Sequence, residues 1–249
     1  MATATDDAAA TRAAAGGEEK SAYVRQIFSD IAPRYDLLNH ILSLNIDRAW
    51  RRKAIAGLGI ESNPDGVYLD LCAGTLDVSA ALAATPGFRG RVVGADFAEP
   101  MLRAGRAKIG TARVFPVTAD ALSLPLPDGS VAGAIVAFGI RNLADLDAGL
   151  REVHRVLAPG GRFVILEFST PRSPVINAGY QLYFNHVLPA IGGLVSGHRT
   201  AYRYLPRSVA NFPVQEELSR RMTAAGFRNV RWRSLTFGIA AIHVGERSN

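Results

Sequence analysis

Short apolar runs alternate with amphipathic stretches along most of the chain, which is the pattern of repeated strand–helix units. Val67, Tyr68, Leu69 and Leu71 suit a buried strand ended by Asp70, and Thr75–Ala84 follows as a helix across a turn of small residues. Further strands are expected over Arg91–Phe97, Val114–Thr118, Val131–Phe138 and Arg162–Phe168. The almost unbroken apolar run of Val131–Phe138 marks a central parallel strand. Leu146, Leu150, Val153 and Leu157 mark one face of a helix capped by Asp145 and closed by Pro159-Gly160-Gly161. Before the first strand, Tyr23, Val24, Ile27, Phe28 and Ile31 recur at helical spacing, and Pro33 predicts an end near Ala32. A short helix over Tyr35–Leu44 and another from an Asp47 N-cap through Trp50 and Ile55 to Leu58 complete an N-terminal helical segment, 21–60.

The alternation stops between residues 173 and 211. There Tyr180, Tyr183, Phe184, His186, Tyr202 and Tyr204 accompany the apolar stretch VLPAIGGLV, too long and too apolar for a plain loop. This reads as an inserted helical cap whose aromatics line a pocket for an apolar ring. A helix over Gln215–Ala225, a turn at Gly226 and strands over Asn229–Leu235 and Ile239–Glu246 end the chain as a hairpin. The expected fold class is therefore α/β, a mostly parallel sheet in one domain over 21–249.

Composition changes this picture little. With 249 residues, 48% of them hydrophobic, the chain can bury one sizeable core. Residues 1–20 are rich in Ala and Thr with interspersed acids, which predicts a disordered tail and argues against a signal or transit peptide. One cysteine, Cys72, excludes an internal disulfide or a cysteine-based metal cage, and fits a reducing cytoplasm. The net charge of +6 comes largely from arginine and suggests an anionic partner surface. Arg48, Arg51, Arg52 and Lys53 share one helix, an ordinary wet face or a patch facing a membrane. No dense basic run with interleaved aromatics supports a nucleic-acid groove.

The candidate chemistry gathers where the strands end. The stretch VYLDLCAGTLD has the spacing of an acidic-x-G-x-G-x-G turn with Cys72, Gly74 and Leu76 at the glycine positions, so only Gly74 is kept. Alone, that turn fits a cofactor site and an unrelated α/β crossing equally. The second strand favours the cofactor, because it ends about 20 residues later in an acid, Asp96, which can accept both ribose hydroxyls. Asp120 and Ala121 follow the third strand, placed to meet an adenine amino group. Arg141 and Asn142 follow the fourth, at the edge where a substrate lies in an open α/β sheet. His154 lies beside a core face and reads as structural.

Several longer motifs then resemble one family. Tyr35-Asp36-Leu37-Leu38-Asn39 with Leu42-Ser43 and Trp50 resembles the N-terminal signature of the ubiquinone and menaquinone biosynthesis C-methyltransferases. Phe138-Gly139-Ile140-Arg141-Asn142 resembles their strand-four motif. Arg155-Val156-Leu157 through Pro159-Gly160-Gly161 to Glu167-Phe168-Ser169 resembles their second signature. His186-Val187-Leu188-Pro189 and Tyr202-Arg203-Tyr204-Leu205 are similar to their cap. The resemblance implies a class I, Rossmann-like methyltransferase fold with a seven-stranded sheet, a C-terminal antiparallel hairpin, a helical lid and a cap. It implies S-adenosylmethionine as cofactor, held by Gly74, Thr75, Asp96, Asp120 and Ala121, and no metal.

The implied reaction is methylation of a ring carbon in a prenylated hydroquinone, demethylmenaquinol first. The ubiquinone precursor, a soluble small molecule and a non-catalytic scaffold are the alternatives. Arg141 would stabilise a ring oxyanion, and His186, or water held by Asp77 or Asn142, would take the proton. A cytoplasmic enzyme at the inner face of the membrane, as a possible homodimer, follows from the same resemblance. The departures are Leu76, where a small residue is usual, Asp47 for histidine, Ala158 for lysine and Ala137 for serine. Leu76 either crowds the cofactor or has been accommodated by the fold.

Overall fold

The computed structural model describes residues 18–32, 35, 43, 45–183 and 199–248. Seven strands form one sheet in the order β3-β2-β1-β4-β5-β7-β6. They are β1 (Val67–Leu71), β2 (Arg91–Asp96), β3 (Val114–Thr118), β4 (Val131–Ala137), β5 (Leu157–Phe168), β6 (Phe227–Leu235) and β7 (Ala240–Arg247). The first five run parallel, and β7 lies antiparallel to both β5 and β6. β1 pairs with β2 on one side and β4 on the other, so the chain reverses its direction of travel across the sheet between β1 and β4. That reversal opens a crevice at the carboxyl ends of these strands.

Helices cover the sheet because its central strands, such as β1 and β4, are apolar and buried. They are α1 (Glu18–Ile31), α2 (Ile46–Ala56), α3 (Asp77–Ala83), α4 (Glu99–Ile109), α5 (Leu146–Val156), α6 (Pro174–Leu182), α7 (Arg199–Ala210) and α8 (Gln215–Ala224). One buried cluster packs Trp50, Ile55, Leu82 and Val164, and the other packs Leu69, Leu150, Val153 and Phe163. Outside this core, Val24, Ile27 and Ile31 of α1 pack with Tyr180 of α6 and Tyr204 of α7. The N-terminal helix and the inserted helices thus share an apolar cluster of their own.

Several boundaries differ from expectation, each for a local reason. α1 begins at Glu18, inside the stretch expected to be a tail, and Lys20 is buried. The N-cap of α2 is Asn45 with φ 61°, and Asp47 lies in the first turn paired to Arg51 (3.5 Å), so it is an ion-pair partner and no cap. Leu157 is extended and pairs with Val131, so β5 starts before the Pro-Gly-Gly stretch that was expected to separate helix from strand. α4 carries few apolar positions, and its buried face is Met101, Leu102 and Gly105. Most of the helix expected over Tyr35–Leu44, and the centre of the cap, 184–198, lie outside the described residues.

Candidate active site

The turn after β1 keeps the backbone of a glycine-rich loop with two side chains added. Cys72, Gly74 and Leu76 have φ of 53°, 52° and 64°, so all three glycine positions adopt the left-handed conformation. For Cys72 and Leu76 this costs about 1–2 kcal/mol each. Packing offsets it at Leu76, whose side chain is wholly buried with Ala73 and Leu102. Gly94 of β2 makes the room, since a Cβ there would meet Leu76 Cδ2 at 2.7 Å. Leu76 therefore fills the core beneath the turn, as the second of its two readings, accommodation by the fold, requires. Among the described residues, chain neighbours aside, an added Cβ at Gly74 would meet only Met101 Cε, at 3.5 Å.

Asp96 ties this turn to the second strand. Its Oδ2 accepts from the Gly74 amide (2.9 Å) and its Oδ1 from the Ala98 amide (2.8 Å). Burial raises its pKa above the usual carboxylate range, against the pull of these amides. α4 closes on the turn from behind through Gly105, where a Cβ would fall 2.3 Å from the Thr75 carbonyl oxygen. Lys108 of the same helix donates to Thr75 Oγ1 (2.9 Å) and Asp77 Oδ1 (2.6 Å). The Thr75 hydroxyl thus accepts from α4, and Thr75 is not among the residues that line the cleft over the crevice. Gly105 and Lys108 went unnoticed in the sequence, although a glycine inside a helical stretch was the available signal.

An open cleft lies over the crevice, lined by Cys72, Asp96, Asp120, Ala121, Asn142 and Ser21 of α1 among others. It brings together four of the expected site residues, Asp96, Asp120, Ala121 and Asn142, from the ends of β2, β3 and β4. Asp120 Oδ1 accepts from the Leu122 amide (2.9 Å), which fixes the carboxylate at the cleft wall. Burial pushes the Cys72 thiol well up, so it is an uncharged wall.

Beyond β4, a left-handed Phe138 (φ 61°) turns the chain into the short helix Ile140–Asn142. Gly139 is required there, because a Cβ would lie 2.4 Å from Cys72 Cβ. Arg141 is buried, and its Nη1 donates to the Phe138 carbonyl and to Glu167 Oε1 (2.7 Å). Its guanidinium lies over the Phe168 ring at 5.6 Å. Lys20 Nζ donates to the Arg141 carbonyl (2.8 Å), and burial, then the Arg141 charge, lowers the Lys20 pKa to about 8. Tyr204 of α7 donates to Asn142 Oδ1 (3.2 Å), and burial pushes its phenol up to about 12. Lys20 was not singled out in the sequence, and Glu167 was noted only within a signature at the end of the fifth strand, because their partner Arg141 lies 121 and 26 residues away.

Asp77 was expected to hold the water that takes the proton. Asp77 is held by Arg51 and by Lys108. Burial raises its pKa, but those two cations together outweigh it and hold the carboxyl below the usual range. A carboxylate in that position is a poor base. The same pairing takes Arg51 out of the wet face, leaving Arg48, Arg52 and Lys53 exposed. His186 lies outside the described residues. His154 packs edge-on against Phe227 (5.2 Å) and beneath Gly226, in the structural place expected of it.

A mostly parallel seven-stranded sheet ending in a reversed β7, with an acid-held turn at its crevice, defines a class I methyltransferase fold. An S-adenosylmethionine-dependent methyltransferase of Thermotoga maritima superposes with a TM-score of 0.63 at 18% identity, over 90% of this chain and 99% of that one. The chain belongs to the ubiE/COQ5 methyltransferase family, whose model matches residues 17–247. It is 52% identical to the demethylmenaquinone methyltransferase of Thermus thermophilus over 89% of this chain and 100% of that one. It is 46% identical to the ubiquinone/menaquinone biosynthesis C-methyltransferase UbiE of Geobacter sulfurreducens over 92% of this chain and 90% of that one. The molecule is therefore a methyltransferase.

Proposed function

We propose that this enzyme methylates a ring carbon of a prenylated hydroquinone, demethylmenaquinol in the first place, with S-adenosylmethionine as the donor. The observation that carries the reading is the meeting, at one sheet edge, of a cleft walled by Asp96, Asp120 and Ala121 with the buried Arg141–Glu167 pair, beside the buried Tyr180 and Tyr204. The names of the relatives supply the substrate class.

The residues present fit the donor. The space before Gly74 admits its amino-acid portion, Asp96 has acceptor capacity for the ribose, and Asp120 with Ala121 forms the wall for a base. The donor, when bound, supplies an electrophilic methyl group. The chain has to make the ring carbon nucleophilic, exclude water and hold the ring in line. Ionising a ring hydroxyl achieves the first, and Arg141 is the cation placed to stabilise the oxygen. Asn142, fixed by Tyr204, joins the cleft to the cap and orients the ring. α1 covers this edge, with Ser21 on the cleft and Lys20 on Arg141, and residues 21–60 act as a lid over the single domain. The inserted segment, 173–211, acts as the cap.

A lipid-soluble substrate has to be met at a membrane surface, and no helix among the described residues is long and apolar enough to cross one. The β6–β7 turn bears Phe237, 78% exposed, and touches Pro171 just before α6, on which Val175 and Leu182 are exposed. Arg172 and the Lys53–Arg233 pair flank it. This rim seats on the inner, anionic face of the bilayer.

The test is twofold. Calorimetry should detect S-adenosylmethionine binding, and labelled methyl should pass to demethylmenaquinol in preference to the ubiquinone precursor. Transfer to the latter alone would redirect the proposal, and transfer to neither would end it. Vesicles containing anionic lipid should retain the protein, and Phe237→Ser with Leu182→Ser should release it; equal retention by neutral vesicles at high salt would refute the membrane contact.

A further inference from the structure

We infer that Glu167 is the proton acceptor of the reaction, taking the ring hydroxyl's proton on Oε2 while Arg141 Nε donates to the oxygen left behind. The inference rests on the hydroquinone reading above and adds to it the base, for which Asp77 is unsuited. Glu167 stands at the carboxyl end of β5 with its side chain 3% exposed. Its Oε1 is fully used, accepting from Arg141 Nη1 (2.7 Å) and the Phe168 amide (2.8 Å). Its Oε2 and Arg141 Nε are both buried with no hydrogen-bond partner among the described residues. Buried polar atoms are rarely left so, because each costs about 1–3 kcal/mol. One ion pair thus keeps an acceptor and a donor without partners, and a hydroxyl group offers one of each.

Charge supports the assignment. Before the step the Arg141 cation is balanced by the Glu167 carboxylate. The ring O–H bond breaks, an Oε2–H bond forms, and the electron pair stays on the ring oxygen, so the cation is then balanced by the oxyanion. No uncompensated charge is buried at either stage. Once the methyl group is on the ring carbon, that carbon loses its hydrogen to water and the ring oxygen recovers the proton from Glu167. One proton per turnover reaches solvent, and the carboxylate is restored. Burial also holds Glu167 above the usual carboxylate range, outweighing Arg141, which narrows its mismatch with a phenol. Of the other carboxylates at this edge, Asp96 is held by two amides, Asp77 by two cations and Asp120 by the Leu122 amide, and none of the three pairs with Arg141.

The test uses a naphthol analogue of the substrate, whose absorbance distinguishes naphthol from naphtholate. With the wild-type protein, naphtholate should form on binding near pH 7 with no net proton release, measured by calorimetry in buffers of different ionisation enthalpy. Naphtholate accompanied by release of one proton would mean that water takes it, and would overturn the inference. Glu167→Gln keeps the shape and should abolish bound naphtholate and lower kcat by 10²–10⁴-fold, the range for a lost general base, with S-adenosylmethionine affinity within threefold. Undiminished naphtholate in Glu167→Gln would overturn it too, whereas absence of any naphthol binding by the wild type would refute the substrate class itself.

Discussion

At the scale of single residues, backbone conformation decides more than side-chain identity. The spacing of Cys72, Gly74 and Leu76 is visible in the sequence, but a non-glycine side chain gives no sign that its residue will be left-handed. The leucine was accordingly open to two readings, and only its burial against Gly94 separates them. Leu76→Gly should therefore relieve about 1–2 kcal/mol of backbone strain and lose about 2–5 kcal/mol of buried packing, a net destabilisation. Urea unfolding should show it, with calorimetry finding S-adenosylmethionine affinity unchanged; tighter binding would return the leucine to the cleft. Arg141 is a residue whose two obvious replacements differ in kind. Arg141→Lys keeps the charge and should lower kcat by about 10–1000-fold with cofactor affinity nearly unchanged. Arg141→Ala strands the Glu167 charge in the interior, which costs about 3–5 kcal/mol, so it should also lower the melting temperature. Full turnover by Arg141→Lys would remove the oxyanion assignment. The Arg141–Glu167 pair itself was hidden, since a residue in the short helix after β4 and one on β5 carry no mark of adjacency.

At the scale of elements, strands were legible and helix contacts were not. Apolar runs such as Val131–Phe138 announce their burial on both faces, and the final hairpin follows from its turn residues. α4 offers only Met101, Leu102 and a few others to a helical pattern, because a glycine occupies the position that touches the turn. That contact makes Gly105→Ala informative. Alanine gains about 1 kcal/mol of helix propensity, yet its Cβ would press on the Thr75 backbone, which no rotamer can relieve. Overpacking of this sort costs about 1–3 kcal/mol, so the clash should prevail. The variant should melt lower and bind S-adenosylmethionine more weakly, because moving α4 also moves Lys108 and the turn it holds. A higher melting temperature would show that α4 can draw back without disturbing the site.

At the scale of the whole molecule, the fold places several ionisable groups in the interior, and their balance sets how stability responds to pH. Asp70, in the middle of the sheet beside the cofactor turn, is pushed up to about 7 by burial, against the Ser79 hydroxyl bond (2.6 Å) and the Arg51 charge. The sequence placed an acid at the end of β1, but the strand continues through Leu71, which takes that carboxyl into the core. The folded state thus holds a proton that the unfolded chain gives up near pH 4. The stability this contributes is complete below pH 4 and is lost as pH rises through about 7. His243, lowered to about 4 chiefly by burial, acts in the opposite sense, since its neutral form is favoured and stability falls as the solution is acidified. The wild-type profile therefore mixes the two, and a variant is needed to separate them. Asn at position 70 can still accept from Ser79 and carries no charge at any pH. The stability of Asp70→Asn relative to wild type should consequently rise between pH 4 and pH 8 by on the order of 2–4 kcal/mol, a shift of a few units at about 1.4 kcal/mol each. Because Asp96 lies close enough to feel the Asp70 charge, the same variant should bind S-adenosylmethionine with less pH dependence above 7. Urea unfolding of both proteins at pH 5 and pH 8 decides the first point. A constant difference between them would show that Asp70 ionises in the folded protein as readily as in water.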